Sequence, residues 1–504
     1  MFARKTLLIV VSNVISGVLG WAALFFISRF MNPDEIGIVG FAIGFVGLFR
    51  FIVNSGFSYA HMKRVSEGRD FGVCNGTYIS IISSTTLIAV STALASIFIW
   101  TKVLGEMFET PQHIIAIYLI LIYFVLNTLS TIPTVTFNAR REIAKSQIPV
   151  LAQNIVRSLA MIAFALLALG VYYLAVAYIL GGLTSFIIGY ALFRTYPVRR
   201  PTRAMFSKYF SFALPMFFAA TISTLVINVD KVMIQYFWDA THVGYYFPIQ
   251  NFVNGLMPFT IAVATLLFPT ISASHAKDRH ADIIKLTSRA ERYLSMITAP
   301  IAVFFIVFPR EIIHILLSDK ILPGAPVLQF FGLFLYFHAL KTARDSQLSG
   351  MGFIKTISFN SAVTMGLNLI LNLFFIPRSI GPIQLLGLGA TGAAMATAIS
   401  ILIGTALSYF FSKRLTGVGI KPNFLTHISA AMAVSIPLFF LGRAFGAWRF
   451  YHLLFMAGVM LLLYTMVLII VREFSKEDWK MVLDAIHPVR MWRYIKGELK
   501  NEGY

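Results

Sequence analysis

Charge is scarce in this chain, and acid is the scarcest part of it. Of 504 residues only 12% are Asp, Glu, Lys or Arg, and 21 acids stand against 41 bases. A soluble protein carries roughly 25% charged residues, so a soluble globular domain is excluded. There is one cysteine, Cys74, which rules out an internal disulfide and a cysteine-rich metal site. No P-loop occurs, so ATP hydrolysis by this chain is excluded and no cofactor is expected. The clustered acids, Asp34/Glu35 and Glu477/Asp478, occupy turn or cap positions, and His275 and His280 sit in a polar loop. No metal centre is expected from either. Arg4 and Lys5 precede an apolar run too long for a signal h-region, which is expected to be a retained first span.

What fills the chain instead is apolar sequence, 58% of the residues. Runs of about 20 apolar residues, the length that crosses a bilayer as helix, recur from end to end. Fourteen candidate spans follow: 7–30, 36–60, 78–100, 114–137, 148–169 and 172–193, then 210–237, 243–271, 293–317, 327–350, 353–376 and 386–411, and finally 424–441 and 451–471. The connection at Gly170 is the tightest of them. The formal charge of +20 would suggest nucleic acid in a soluble protein. Here the bases lie in short loops between spans, so they mark topology and contact with anionic membrane lipids, and no nucleic-acid partner is expected. With the N-terminus inside and sides alternating, 31 Lys and Arg fall on the cytoplasmic side, 7 outside, and 3 (Arg50, Arg157, Lys231) within spans. One missed span would reverse every later loop and spoil the asymmetry.

The chain also repeats. At an offset of 207 residues, ISRFMNPDEIGI (27–38) lies on IQYFWDATHVGY (234–245) without a gap, pairing Phe30 with Phe237, Asn32 with Asp239, Ile36 with Val243 and Gly37 with Gly244. Both copies fall between the first and second spans of their half. Six spans per half is an even number, so both halves enter from the same side and the repeat is parallel. The expected fold is an all-α polytopic membrane protein: two six-helix bundles related by a parallel pseudo-two-fold repeat, plus two extra C-terminal helices. The expected divisions are a first bundle at 1–197, a basic cytoplasmic linker at 198–209, a second bundle at 210–416, two further spans within 417–472, and a basic amphipathic tail at 473–504. In that tail Ser475–Asp478 reads as a helix start, and interfacial helices on the inner leaflet are expected.

These residues carry a family likeness. RFMNPDEIG (29–37), NSGFS (54–58), ALP (213–215), NVDKVMI (228–234), VGYY (243–246), FPTIS (268–272) and GLGATGAAMATAIS (387–400) stand in order over some 400 residues. The pattern resembles the polysaccharide flippase branch of the multidrug/oligosaccharidyl-lipid/polysaccharide exporter superfamily. The chain departs from the usual pattern at Gln235 and at Asn32, where glycine is common. The resemblance implies transport of lipid-linked sugars across the membrane, with two lobes rocking about a central cavity.

A charge inside a span is costly and faces a cavity, a partner or the interface. Arg50 lies fourteen residues into its span, about 21 Å along the helix, and Arg157 about 14 Å from the cytoplasmic end of its own. His338, Lys341 and Arg344 recur every three residues on one face of the tenth span. Arg50, Arg157, Lys231, Lys341 and Arg344 are therefore candidate cationic ligands for a lipid phosphate, which a guanidinium can bind bidentately. Four of them have a rival role: Arg50 bonding backbone carbonyls, Arg157 snorkelling to the interface, Lys341 and Arg344 following the positive-inside bias. Asp230 either caps or pairs with a neighbouring helix or takes part in coupling to a proton or sodium gradient, and His338 is a candidate proton carrier. Asn54, Asn127, Asn228, Asn251, Asn254, Asn368 and Asn372 either bond between helices or meet sugar hydroxyls.

The reading these features favour is a flippase for polyprenyl- or dolichyl-phosphate-linked oligosaccharide in the cytoplasmic membrane, working beside glycosyltransferases or a polymerase. The alternatives are a drug or cation antiporter of the same superfamily and a membrane polymerase or ligase. The first needs acids in the spans, where Asp230 stands against three cations. The second needs positioned acid/base groups and a sizeable external loop. The charge asymmetry makes a direct prediction: reporter fusions at Tyr504 and within residues 199–203 both read cytoplasmic, and an external signal from either breaks the fourteen-span topology.

Overall fold

The computed structural model describes residues 2–53, 56–103, 110–419, 423–443 and 448–473, the side chains of residues 2–11, 215–227, 265 and 423 excepted. Asn54 and the interfacial helices expected after residue 473 lie outside the described residues. The chain forms two compact units, Met1–Phe247 and Pro248–Tyr504. The first holds α1 (Phe2–Phe30), α2 (Pro33–Leu48), α3 (Arg50–Val53), α4 (Phe57–Ser66), α5 (Phe71–Phe98), α6 (Pro111–Ala139), α7 (Ile143–Leu166), α8 (Val171–Phe193), α9 (Arg203–Phe237) and the start of α10 (Ala240–Asn254). The second holds the rest of α10 and α11 (Met257–His275), α12 (His280–Val307), α13 (Pro309–Leu316), α14 (Ala325–Gly350) and α15 (Ile354–Phe375). It continues with α16 (Gly389–Thr416), α17 (Asn423–Gly442) and α18 (Phe450–Ile470). Between α15 and α16, β1 (Ser379–Ile380) and β2 (Ile383–Gln384) pair as a small antiparallel hairpin.

Among the described residues thirteen helical segments are long and apolar enough to cross a membrane. Each overlaps one expected span, the ninth displaced from 293–317 to His280–Val307; the remaining expected span, 210–237, lies on α9, a helix of 35 residues. The tight connection at Gly170 is a true turn: α7 ends at Leu166, and Gly170 takes φ +83° before α8. Here the left-handed backbone requires glycine.

Two of the spans are broken. The second is interrupted at Phe49 and restarts as α3 at Arg50; α4 begins after Gly56, whose φ of +82° suits only glycine without strain. The eighth is interrupted at Gly255–Leu256, and Pro258 sits in the first turn of α11, where its missing N–H costs nothing. Phe49 and Leu256 stand at the same 207-residue offset as the repeated turn. Unpaired backbone at membrane depth is tolerated only in protein or along water.

Glycines on one side of α2 decide what packs there. A Cβ on Gly37 would lie 1.7 Å from the Ala240 carbonyl oxygen, one on Gly40 2.9 Å from Phe247 Cγ, one on Gly44 2.8 Å from Lys231 Cβ, and one on Gly47 2.5 Å from Asn228 Oδ1. Bare backbone along this stripe lets α2 lie flush against α9 and the start of α10, the close approach that small residues permit in membranes. The linker at 198–209 is consequently not where the two compact units part. They part at Phe247, because α9 packs with the first unit.

The linker itself is docked. Arg199 donates to Asp70 at 2.9 Å, its amide donates to the Gly72 carbonyl at 2.9 Å, and Asn75 donates to the Pro197 carbonyl at 2.9 Å. The Val73 amide, with Arg199 beside it, holds the Asp70 carboxyl below its ordinary range. A Cβ on Gly76 would fall 1.8 Å from the Arg199 carbonyl oxygen. Gly76→Ala therefore displaces the linker and costs roughly 1–3 kcal/mol. Gly17→Ala, which meets nothing within 4 Å, is the neutral control; thermal unfolding in detergent separates the two.

The second unit is tied by polar side chains. The buried residues of α15 are Asn360, Thr364, Asn368 and Asn372, one per turn on a single face. Asn360 donates to the Gly404 carbonyl (2.9 Å) and to Ser408 (2.7 Å), and Asn368 donates to Thr397 (3.2 Å), all on α16. Bonds of this kind between helices replace the hydrophobic drive that lipid removes.

Candidate functional site

Arg50 is the first residue after the break in the second span, and its side chain is exposed. Its guanidinium donates to Asn127 Oδ1 on α6 at 3.3 Å. Arg157, half-buried on α7, donates to Asn154 Oδ1 at 3.0 Å, and Asn154 in turn donates to Ser16 on α1 at 3.0 Å. The Arg157 guanidinium also lies 5.4 Å from the ring centre of Tyr178 on α8, a cation–π distance. Gly181 makes room for this, since a Cβ there would be 2.9 Å from Arg157 Cβ. Tyr178 meets Tyr123 edge-on at 5.4 Å, and Gln153 donates to the Tyr123 hydroxyl at 3.4 Å.

These contacts put the two arginines on one stretch of one helix. Tyr123 and Asn127 are a turn apart on the same face of α6, and they flank the midpoint of a helix running from Pro111 to Ala139. Arg50 reaches Asn127 directly, and Arg157 reaches Tyr123 through Tyr178. Cations, amides and phenols thus share the middle turns of α6 in the first unit. An exposed guanidinium at that depth needs water or an anion in front of it.

The other candidates are differently placed. Lys231 is buried at 3% exposure beneath Gly44, and Asp230, equally buried, accepts a hydrogen bond from the Tyr246 hydroxyl at 2.7 Å. Asp230 therefore pairs with a neighbouring helix, one of the two roles expected for it. In the second unit Lys341 is buried and forms an ion pair with Asp345, whose other oxygen accepts from Ser408 at 2.6 Å. Arg344 is fully enclosed. It donates to Glu291 at 2.6 Å, to Ser412 at 3.2 Å and to the Val418 and Gly419 carbonyls at 3.3 and 3.2 Å, and it lies 4.4 Å over the Tyr409 ring. Tyr409 donates to the second oxygen of Glu291. Of the three residues repeating along α14, His338 keeps its Nδ1 unused, with the ring beside Phe334 at 5.5 Å, and Arg344 keeps its Nε unused within an otherwise bonded guanidinium.

Two features escaped the sequence. Glu291 belongs to the interior of α12, which begins at His280; with the ninth span expected to start at 293, this acid read as a loop residue. Asp230 is accordingly not the only acid buried among the helices, but Glu291 and Asp345 each face their own cation. His61 is the second. It is fully buried on α4, with Tyr209 hydroxyl on Nδ1 at 2.8 Å, Thr136 on Nε2 at 3.0 Å and Tyr78 stacked at 4.2 Å. It joins α4, α5, α6 and α9, and the one sequence signal was a histidine directly after an apolar span. Among the described residues no group of three His, Cys, Asp or Glu could hold a metal ion.

The architecture is that of a multi-pass helical membrane protein. Its fold is similar to that of the lipid II flippase MurJ in an inward closed conformation, with a TM-score of 0.73 at 18% identity over 93% of this chain and 99% of that one. It is also similar to an inward-facing multidrug resistance MATE family transporter of the MOP superfamily, with a TM-score of 0.63 at 12% identity over 81% and 94%. A curated protein of Haloferax volcanii named "Probable low-salt glycan biosynthesis flippase Agl15" is 22% identical over 409 residues, 80% of this chain and 82% of its own. Residues 26–326 match the family described as polysaccharide biosynthesis protein, and the chain belongs to that family.

The enclosed pair yields a stability prediction. Arg344→Met strands the Glu291 carboxylate without a charge partner and costs roughly 3–5 kcal/mol. Adding Glu291→Leu recovers most of that loss. Thermal unfolding of both variants in detergent measures it, and an unchanged Arg344→Met midpoint contradicts it.

Proposed function

We propose that this chain is a flippase that carries polyprenyl- or dolichyl-phosphate-linked oligosaccharide across the cytoplasmic membrane by alternating access of its two repeats. The observation that carries the reading is Arg50: an exposed guanidinium opposite the middle of α6, at the break of the second span, with Arg157 along the same turns of α6. A phosphate or diphosphate head group is the anion that such a pair suits, because a guanidinium offers two parallel donors. Asn127, Asn154, Tyr123 and Tyr178 beside them supply the amides and rings that sugar hydroxyls and sugar faces require. Membership of the polysaccharide biosynthesis family and the likeness to Agl15 support a glycan precursor as cargo.

An antiporter of drug cations is not favoured, because the buried Glu291 and the half-buried Asp345 each face a cation and Asp230 accepts from a tyrosine. The likeness to a flippase over most of both chains supports a transporter rather than a polymerase or ligase. Both termini lie in the cytoplasm, and glycosyltransferases or a polymerase of the same glycan supply or consume the cargo. Within the first unit Lys231 supports the helix contact and is a secondary ligand at most. Lys341 and Arg344 belong to the framework of the second unit. Of the two candidates for coupling to a proton or sodium gradient, His338, whose Nδ1 is unused, is the better placed, because Asp230 is held by Tyr246.

Arg50 is tested by substitution. Arg50→Lys keeps the charge and loses the planar fork, so flipping in proteoliposomes falls partially. Arg50→Gln loses at least tenfold while the folded fraction stays at the wild-type level. Full flipping by Arg50→Gln refutes the phosphate role, and loss of folded protein assigns Arg50 to structure instead.

A further inference from the structure

The repeated turn, matched first as sequence, meets its own copy in space. A Cβ on Gly37 would lie 1.7 Å from the carbonyl oxygen of Ala240, and one on Gly244 would lie 1.8 Å from the carbonyl oxygen of Pro33. Pro33 corresponds to Ala240, and Gly37 to Gly244, at the 207-residue offset. The contact is therefore reciprocal: each glycine is covered by the first residue of the other copy's helix, as in an isologous interface. One turn further in, Gly40 meets Phe247, again its own counterpart. Both helix starts are fixed by a hydrogen bond between the cap and the residue three positions on, in opposite senses. The Asn32 amide donates to Glu35 at 2.8 Å, and Asp239 accepts from the His242 amide and meets its ring nitrogen, both at 2.8 Å. A pseudo-two-fold axis thus passes between Gly37 and Gly244, and each copy presents a rigid, capped first turn to it.

We propose that this glycine crossing is a latch of the transport cycle, closed when the two repeats meet on the external side and parted when that side opens. The inference rests on the flippase reading and on its topology, in which the turns after the first and seventh spans are external. A contact on the pseudo-axis joins one copy of the turn to the other, so any swing of one repeat against its partner separates it. Bare backbone is what makes it switch-like. Two glycine faces fit in one register only, and a shift of an ångström or two loses the whole approach, with no long side chain to follow the movement. One added methyl on either glycine prevents closure, because the atom it meets is backbone and cannot turn aside. The broken spans beyond, at Phe49 and Leu256, leave each capped turn attached to the membrane interior through a joint.

The test uses the full chain in liposomes, with Cys74→Ser and with spin labels on Asp34→Cys and Thr241→Cys, which are counterparts in the repeat. The latch predicts dipolar broadening between the labels in the parent protein and its loss in Gly37→Ala and in Gly244→Ala. Gly17→Ala, in open space, keeps it. Broadening that persists in folded Gly37→Ala and Gly244→Ala overturns the proposal. A second arm stands even if those variants fail to fold: a reducible bifunctional thiol reagent bridges the two cysteines in the glycine-intact protein. Flipping of a fluorescent polyprenyl-phosphate-linked disaccharide then falls at least tenfold and returns on reduction, whereas a bridged protein that flips at the unbridged rate overturns the latch. If the unbridged protein does not flip the probe at all, the flippase reading falls, and the spin labels alone decide the latch.

Discussion

The structure depends on bare backbone along one side of α2. Where Gly37, Gly40, Gly44 and Gly47 remove four side chains in three turns, α9 and the start of α10 come within contact of the α2 main chain. In a bilayer apolar surface gains nothing by being hidden from lipid, so shape and close approach carry helix association. This seam draws the seventh span into the first compact unit. It encloses Asp230 and Lys231 and leaves Asp230 beside Tyr246. It also sets the line of α2 up to Phe49, so that the restart at Arg50 emerges opposite the middle of α6.

Against that frame the polar side chains divide by what surrounds them. Arg344 is wrapped by Glu291, Tyr409, Ser412 and two carbonyls, and Lys341 by Asp345. Removing either partner of the Arg344–Glu291 pair leaves a buried charge, which is why it ties α14 to α12 rather than binding cargo. Arg50 differs in having one amide contact and an open face. Arg157 is intermediate, half-buried, with one amide and one ring. A transporter must release what it binds, and cations with an open face suit that better than an enclosed pair.

Much of this was legible before any coordinates. Composition and run length yield the spans, because helix length and bilayer thickness are tied by simple geometry. The match of 27–38 with 234–245 identified the turn that lies on the pseudo-axis. What stayed hidden was partnership at long separation. Nothing along the chain says that Arg344 faces Glu291, 53 residues earlier, or that His61 is held by Tyr209 and Thr136. The break in the second span was hidden for another reason: no proline marks it, and its one signal is Gly56. The reach of α12 back to His280 was obscured by its charged first turns, which lower the hydropathy that delimits a span.

The measurement that bears most directly on the central claim is flipping by the purified wild-type chain. Liposomes carrying a fluorescent polyprenyl-phosphate-linked oligosaccharide are made with and without the protein, and a membrane-impermeant reductant bleaches the outer leaflet. The account predicts that vesicles with folded protein lose fluorescence well beyond the outer-leaflet share, while the same lipid without its phosphate moves no faster than in protein-free vesicles. Folded protein that leaves the inner-leaflet fluorescence at the protein-free level contradicts it.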